Sequence, residues 1–265
     1  MEVNTKVNLS GLILDNPVIP ASGTFGFGKE YVDFYDINIL GSISIKGTTV
    51  QRRKGNPQPR IAECYSGLIN SVGLENPGME NVIQKELKDL EMIYRKPVIA
   101  NISGFSVEEY VTLAREMDQV DNVGIIEVNI SCPNVDHGGL AFGTNANNVR
   151  ELTKKIKEVT TKPVYMKLSP NVTDIKEIAR AAQEGGADGI SLINTLMGMR
   201  IDINRRKPVI ANKKGGFSGP AIFPVALRMV YEVYEVTNLP IIGIGGISSA
   251  EDVIEMMMAG ATAVQ

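Results

Sequence analysis

Lys96-Pro97-Val98-Ile99-Ala100-Asn101 sets the pattern from which the rest of the chain is read. A proline opens a short apolar run. The same arrangement recurs at Lys162-Pro163-Val164-Tyr165-Met166-Lys167 and at Leu239-Pro240-Ile241-Ile242-Gly243. Proline is tolerated at the first residue of a strand, where its missing N–H is not yet needed. Gly124 to Ile130 and Gly189 to Ile193 are further apolar runs without clean alternation. Such runs suit strands buried on both faces, as in parallel sheets.

Helical patterns lie between these runs. Ile83, Leu87, Leu90 and Tyr94, and then Val149, Leu152, Ile156 and Val159, recur at helical spacing. Ser248 with Glu251 reads as a capping box opening the helix after Ile247. Gly185-Gly186 and Gly260 stand where a helix would end in a left-handed residue. Strand and helix alternating along the chain define an α/β protein with a parallel sheet. The strands are expected near 17–21, 42–46, 97–102, 124–130, 163–168, 189–193, 240–244 and 261–265. That set predicts a (β/α)8 TIM barrel spanning 1–265 as a single domain, its last strand and helix incomplete. The rival is a doubly wound open sheet. No Gly-x-Gly-x-x-Gly fingerprint opens the first unit, which weighs against it.

Composition narrows the function classes. The 265 residues carry a net charge of -3, which offers no footprint for nucleic acid. No apolar run approaches the roughly 20 residues of a membrane span, and the start lacks a signal-peptide profile. Two cysteines, Cys64 and Cys132, suit a reducing compartment and a cytoplasmic location. One histidine, His137, rules out a multi-histidine metal site. Residues 47–79 and 195–220 are too long for simple connections, and loops of that length are usually functional. The Val209-Ile210-Ala211 run in the second echoes the third strand but reads as an insertion, with basic residues on both sides.

On a barrel the C-terminal strand ends carry the site. Here they are Ala21-Ser22-Gly23, Lys46-Gly47, Asn101, Asn129 with Ser131-Cys132-Pro133-Asn134, Lys167, Asn194-Thr195 and Gly245-Gly246. Asparagine offers donors and acceptors to an amide edge, and lysine supplies positive charge. The ring suits a planar, anionic heterocycle.

These residues carry a resemblance. Asn129-Ile130-Ser131-Cys132-Pro133-Asn134 resembles the active-site motif of class 1 dihydroorotate dehydrogenases, and Val135-Asp136-His137-Gly138-Gly139 resembles their NAD-linked 1B branch. Asn70-Ser71-Val72-Gly73-Leu74-Glu75-Asn76 is similar to the family's substrate loop. Lys46-Gly47, Lys167-Leu168-Ser169-Pro170, Asn194-Thr195, Gly216-Phe217-Ser218-Gly219 and Gly243-Ile244-Gly245-Gly246-Ile247 match in order.

The resemblance implies an FMN enzyme that oxidises (S)-dihydroorotate to orotate in pyrimidine synthesis. A hydride leaves C6 for the flavin, and Cys132 takes the C5 proton. A thiol of pKa near 8.5 can serve as a base where its thiolate is favoured. The resemblance assigns Lys46, Asn70, Ser71, Val72, Gly73, Leu74, Asn129, Asn194 and Thr195 to the substrate. It assigns Ser22, Gly23, Lys46, Gly47, Asn101, Asn129, Lys167, Ile193, Gly219, Gly245 and Gly246 to FMN. It also implies a partner subunit with FAD and a [2Fe-2S] cluster that passes electrons to NAD, in a heterotetramer of two catalytic and two electron-transfer subunits. Two cysteines cannot hold such a cluster here. The chain stops within the expected eighth strand, so the family's next phosphate-binding turn and final helix are expected to be missing, as in a truncated form. Three readings stay open beside this one: a fumarate-linked class 1A enzyme, a barrel aldolase using Lys167 as a Schiff base, and a non-catalytic barrel scaffold.

Overall fold

The computed structural model of the chain describes residues 3–131 and 142–265. Among them, six strands pair in parallel. Their order is Ala263–Val264, Ile241–Gly243, Gly189–Leu192, Val164–Lys167, Val123–Asn129 and Val98–Ile102. Two segments close the ring through isolated bridges: Ser44 and Thr48 to Ile99 and Ile102, and Val18 to Val264. The Gly41 N–H donates to the Val18 carbonyl at 2.9 Å, joining the two segments. The eight expected strands thus form a (β/α)8 barrel, and the open sheet is excluded. The first is only a bridge because Pro17 and Pro20 leave Val18 and Ile19 as its donors.

The six paired strands are buried on both faces, by different partners. Val98, Ala100, Ile126, Val128, Val164, Met166, Ile190 and Leu192 face the surrounding helices. The alternate positions Ile99, Ile125, Tyr165 and Ile242 fill the barrel's interior. The hairpin of Val7–Leu9 and Leu12–Leu14 closes the N-terminal end, burying Leu9 and Leu14 against that interior layer. One step of two further along the strands, the interior becomes polar at Asn101, Glu127 and Lys167, all buried.

The helices Val107–Asp118, Ala146–Lys157, Ile175–Glu184, Phe223–Tyr234 and Ala250–Met258 follow successive strands. Val149, Leu152 and Ile156 are buried as the periodicity predicts. In the earlier helical run, Val82 is fully buried and Ile83 is not, because Val82–Glu86 is a π-helical turn that shifts the buried face by one residue. The capping box is also displaced by one. Ser249, not Ser248, is the N-cap, and its reciprocal partner is Asp252, not Glu251. The Ser-Ser and Glu-Asp pairs allow both registers. Asp252 wins by also accepting from the Ser248 N–H and hydroxyl. Gly186 (φ +91°) and Gly260 (φ +114°) are the left-handed residues that close their helices.

The two long stretches fold together. Ile61–Cys64, Gly67–Asn70, Lys214–Ser218 and Leu196–Met199 form one antiparallel sheet in that order. Val209-Ile210-Ala211 lies outside the barrel strands, consistent with an insertion; Ile210 is buried and the Ala211 N–H bonds Pro59 O at 2.7 Å. Among the described residues, no helix is long and apolar enough to cross a membrane.

Candidate active site

A cavity of about 760 Å³ opens where the barrel strands end and the antiparallel sheet leans over them. Its walls contain every residue expected at the site except Cys132. Cys132 and His137 lie outside the described residues. Lys46, Arg53 and Lys167 line the cavity, and no aspartate or glutamate does among the described residues. Such a lining attracts an anion.

The barrel side is built from asparagines tied to one another. Asn129 Oδ1 accepts from Asn194 Nδ2 at 3.2 Å, from the Ser131 hydroxyl at 2.9 Å and from the Ser131 N–H at 3.3 Å. Asn194 Nδ2 also donates to Ser131 Oγ. With its oxygen so engaged, Asn129 has only donors left to offer. The Tyr110 hydroxyl bonds the Asn129 carbonyl at 2.7 Å, anchoring the strand end. Asn194 Oδ1 accepts from the Thr195 N–H at 2.7 Å.

The opposite wall comes from the antiparallel sheet and the loop after it. Asn70 Nδ2 reaches Gly216 O at 3.5 Å. A Cβ on Gly216 would meet Thr195 Oγ1 at 2.0 Å, so only glycine lets the sheet come this close to the barrel. Ser71, Val72, Gly73 and Leu74 turn at the rim. Asn56 Nδ2 holds the Ser71 carbonyl at 2.9 Å. The Arg53 guanidinium lies 4.6 Å from the Phe105 ring centre.

Lys46 and Lys167 differ in their electrostatics. Among the described residues, Lys46 has no carboxylate within ion-pair distance. Burial holds its ammonium below the ordinary lysine value, and Arg60 adds to this while Glu75 opposes it. Lys167 is paired: its Nζ lies 3.4 Å from Glu127 Oε2. Glu127 is fully buried and also accepts from Asn101 Nδ2 at 2.5 Å, Ser44 Oγ at 3.3 Å and Gln265 Nε2 at 3.2 Å. Burial pushes its carboxyl up, but Lys167 and these amide donors outweigh that and hold it below the ordinary value.

The sequence reading omits Glu127, Gln265, Arg53, Phe105 and Ser44. Glu127 could have been found by the alternation of strands. It stands two residues before Asn129 and so shares its inward face, in a run otherwise apolar. Arg53 sits in the basic cluster of the first long stretch. Ser44, Phe105 and Gln265 carry no local signal.

The fold and the cavity define a barrel enzyme acting on an anionic ligand at its strand ends. The model of the dihydroorotate dehydrogenase family matches residues 4–265. A protein of Bacillus cytotoxicus named dihydroorotate dehydrogenase B (NAD(+)), catalytic subunit, is 58% identical over 98% of this chain and 84% of its own length. Proteins of the same name from Bacillus cereus and Bacillus anthracis are 57% identical over the same shares. The chain belongs to the dihydroorotate dehydrogenase family.

Proposed function

We propose that this chain is the catalytic subunit of an NAD-linked dihydroorotate dehydrogenase, a cytoplasmic FMN enzyme that oxidises (S)-dihydroorotate to orotate in pyrimidine synthesis. The observation that carries the reading is the cavity lining: three cations, four asparagines and no carboxylate among the described residues. A planar imide carrying a carboxylate, beside a phosphorylated flavin, matches that chemistry.

The residues fit FMN. A Cβ on Gly23 would meet nothing within 4 Å, so the wall stays open there. Gly245 (φ +127°) and Gly246 (φ +74°) adopt conformations that favour glycine. A Cβ on Gly246 would press within 2.8 Å of the Gly219 carbonyl and the Phe223 N–H, so backbone packs on backbone at the start of the Phe223–Tyr234 helix. Gly219, Gly245 and Gly246 would hold the phosphate there. Ser22, Gly23, Gly47, Asn101, Asn129, Ile193 and the two lysines would hold the ring and its chain. When bound, FMN supplies the acceptor for the hydride that leaves C6.

Asn70, Asn129, Asn194 and Thr195 orient the substrate ring, and Lys46 with the backbone of Ser71, Val72, Gly73 and Leu74 binds its carboxylate. Cys132 takes the C5 proton. Electrons leave through a partner subunit with FAD and a [2Fe-2S] cluster, since this chain's two cysteines cannot ligate one. The purified chain should therefore show flavin absorbance and reduce dyes, but reduce NAD poorly without a partner. A colourless protein would favour the aldolase reading; rapid NAD reduction by the chain alone would refute the two-subunit arrangement.

Lys46→Met gives a separate check. Burial disfavours the Lys46 ammonium in the empty site, so its removal should raise the melting temperature of the ligand-free protein. It should also weaken orotate binding about 10–100-fold, the usual scale of a lost hydrogen bond to a charged group. Unchanged orotate affinity in a titration would remove Lys46 from the substrate site.

A further inference from the structure

Beneath the cavity floor lies a charge that does not line the cavity. The Glu127 carboxylate is fully buried, and it contacts three residues that do line the cavity, Lys167, Asn101 and Gln265. Its Oε2 takes the Asn101 amide N–H at 2.5 Å. That bond turns Asn101 Oδ1 the other way, where it is buried without a protein partner. A Cβ on Gly47, another lining residue, would meet this oxygen at 2.9 Å. A buried acceptor without a partner costs stability. Ser44 Oγ donates to the same Oε2 and Gln265 Nε2 to Oε1, completing the shell of the carboxylate.

We propose that Glu127 is a positioning residue that fixes the Lys167 ammonium, holds the Asn101 side chain, and offsets the positive charge of the cavity floor. The inference rests on the flavin reading above. Two-electron reduction makes a flavin more negative. A floor bearing Lys167 alone would favour the reduced form strongly, whereas the Glu127–Lys167 pair is neutral and moderates that preference. The carboxylate thus sets how tightly reduced FMN is held relative to oxidised FMN, without touching it.

The test measures the affinities of oxidised and reduced FMN, under anaerobic conditions, for the wild-type chain and for Glu127→Gln. Glutamine keeps the size and much of the hydrogen bonding and removes only the charge. The expected result is a shift of about tenfold or more in favour of reduced FMN, which is about 30 mV on a two-electron couple. An unchanged ratio in Glu127→Gln would overturn the proposal and leave Glu127 a packing residue. If Glu127→Gln yields no folded protein, Glu127→Asp decides: it withdraws the charge by one methylene and should shift the ratio in the same direction by less, and no shift would again overturn the proposal. A wild-type chain that binds no FMN would overturn the flavin reading itself.

Discussion

Cys132→Ser is expected to leave flavin bound while slowing its reduction by dihydroorotate about 10²–10⁴-fold at neutral pH, the usual scale of a lost general base. A serine hydroxyl is a far weaker base than a thiol with a pKa near 8.5. The residues just before Cys132 in the sequence belong to the cavity wall. Asn129 and Ser131 are fixed in the cavity wall by hydrogen bonds to Asn194 and to each other, and Cys132 is the next residue. Rapid-mixing measurement of flavin bleaching would read the effect directly. Near-wild-type reduction in the variant would remove Cys132 from the chemistry.

The second large effect is on stability. Lys167→Met strands the Glu127 carboxylate among neutral donors, with both side chains almost wholly buried in the native pair (6% and 0% exposed). Removing one partner of a buried pair costs about 3–5 kcal/mol. The double variant Lys167→Met/Glu127→Gln should recover most of that loss, because no buried charge remains. The pH dependence has a definite sign. In the wild-type chain the Glu127 carboxyl is held below its ordinary value of 4.5. Its contribution to stability is present above 4.5 and is lost as pH falls through the lower folded value. In Lys167→Met, burial acts without its main opponent, so protonation relieves the stranded charge, and the gap to the double variant should narrow on acidification. Urea melts of the three proteins would read this. Equal stability of the single and double variants would show that the pair contributes little.

Much of this architecture was legible in the residues, and the limits are physical. The barrel could be read because buried parallel strands announce themselves locally, through a leading proline and an unbroken apolar run. The first two strands were found although the structure holds them by bridges alone; the second is buried throughout 42–45, whereas in the first Ile19 is buried and Val18 is 40% exposed. The antiparallel sheet beside the cavity could not be read. Its Gly67–Asn70 and Lys214–Ser218 strands pair across nearly the whole barrel, and no local pattern encodes a partner so distant. The cavity residues were legible because they stand at strand ends, where polar side chains interrupt apolar runs. Glu127 also interrupts its apolar run, but it does not stand at the strand end where the site was sought. It sits one step inside the strand, and its role depends on Lys167 and Asn101, which arrive from neighbouring strands. The capping box shows a smaller limit, two adjacent registers of similar chemistry decided by which carboxylate reaches more donors.

This cavity is proposed to bind FMN, which dihydroorotate then reduces. This is tested most directly by titrating the purified, FMN-loaded chain with (S)-dihydroorotate in the absence of oxygen and following the visible flavin band. The band should bleach, and orotate should form in equal amount to the flavin reduced. Flavin that stays oxidised in the presence of excess dihydroorotate would contradict it.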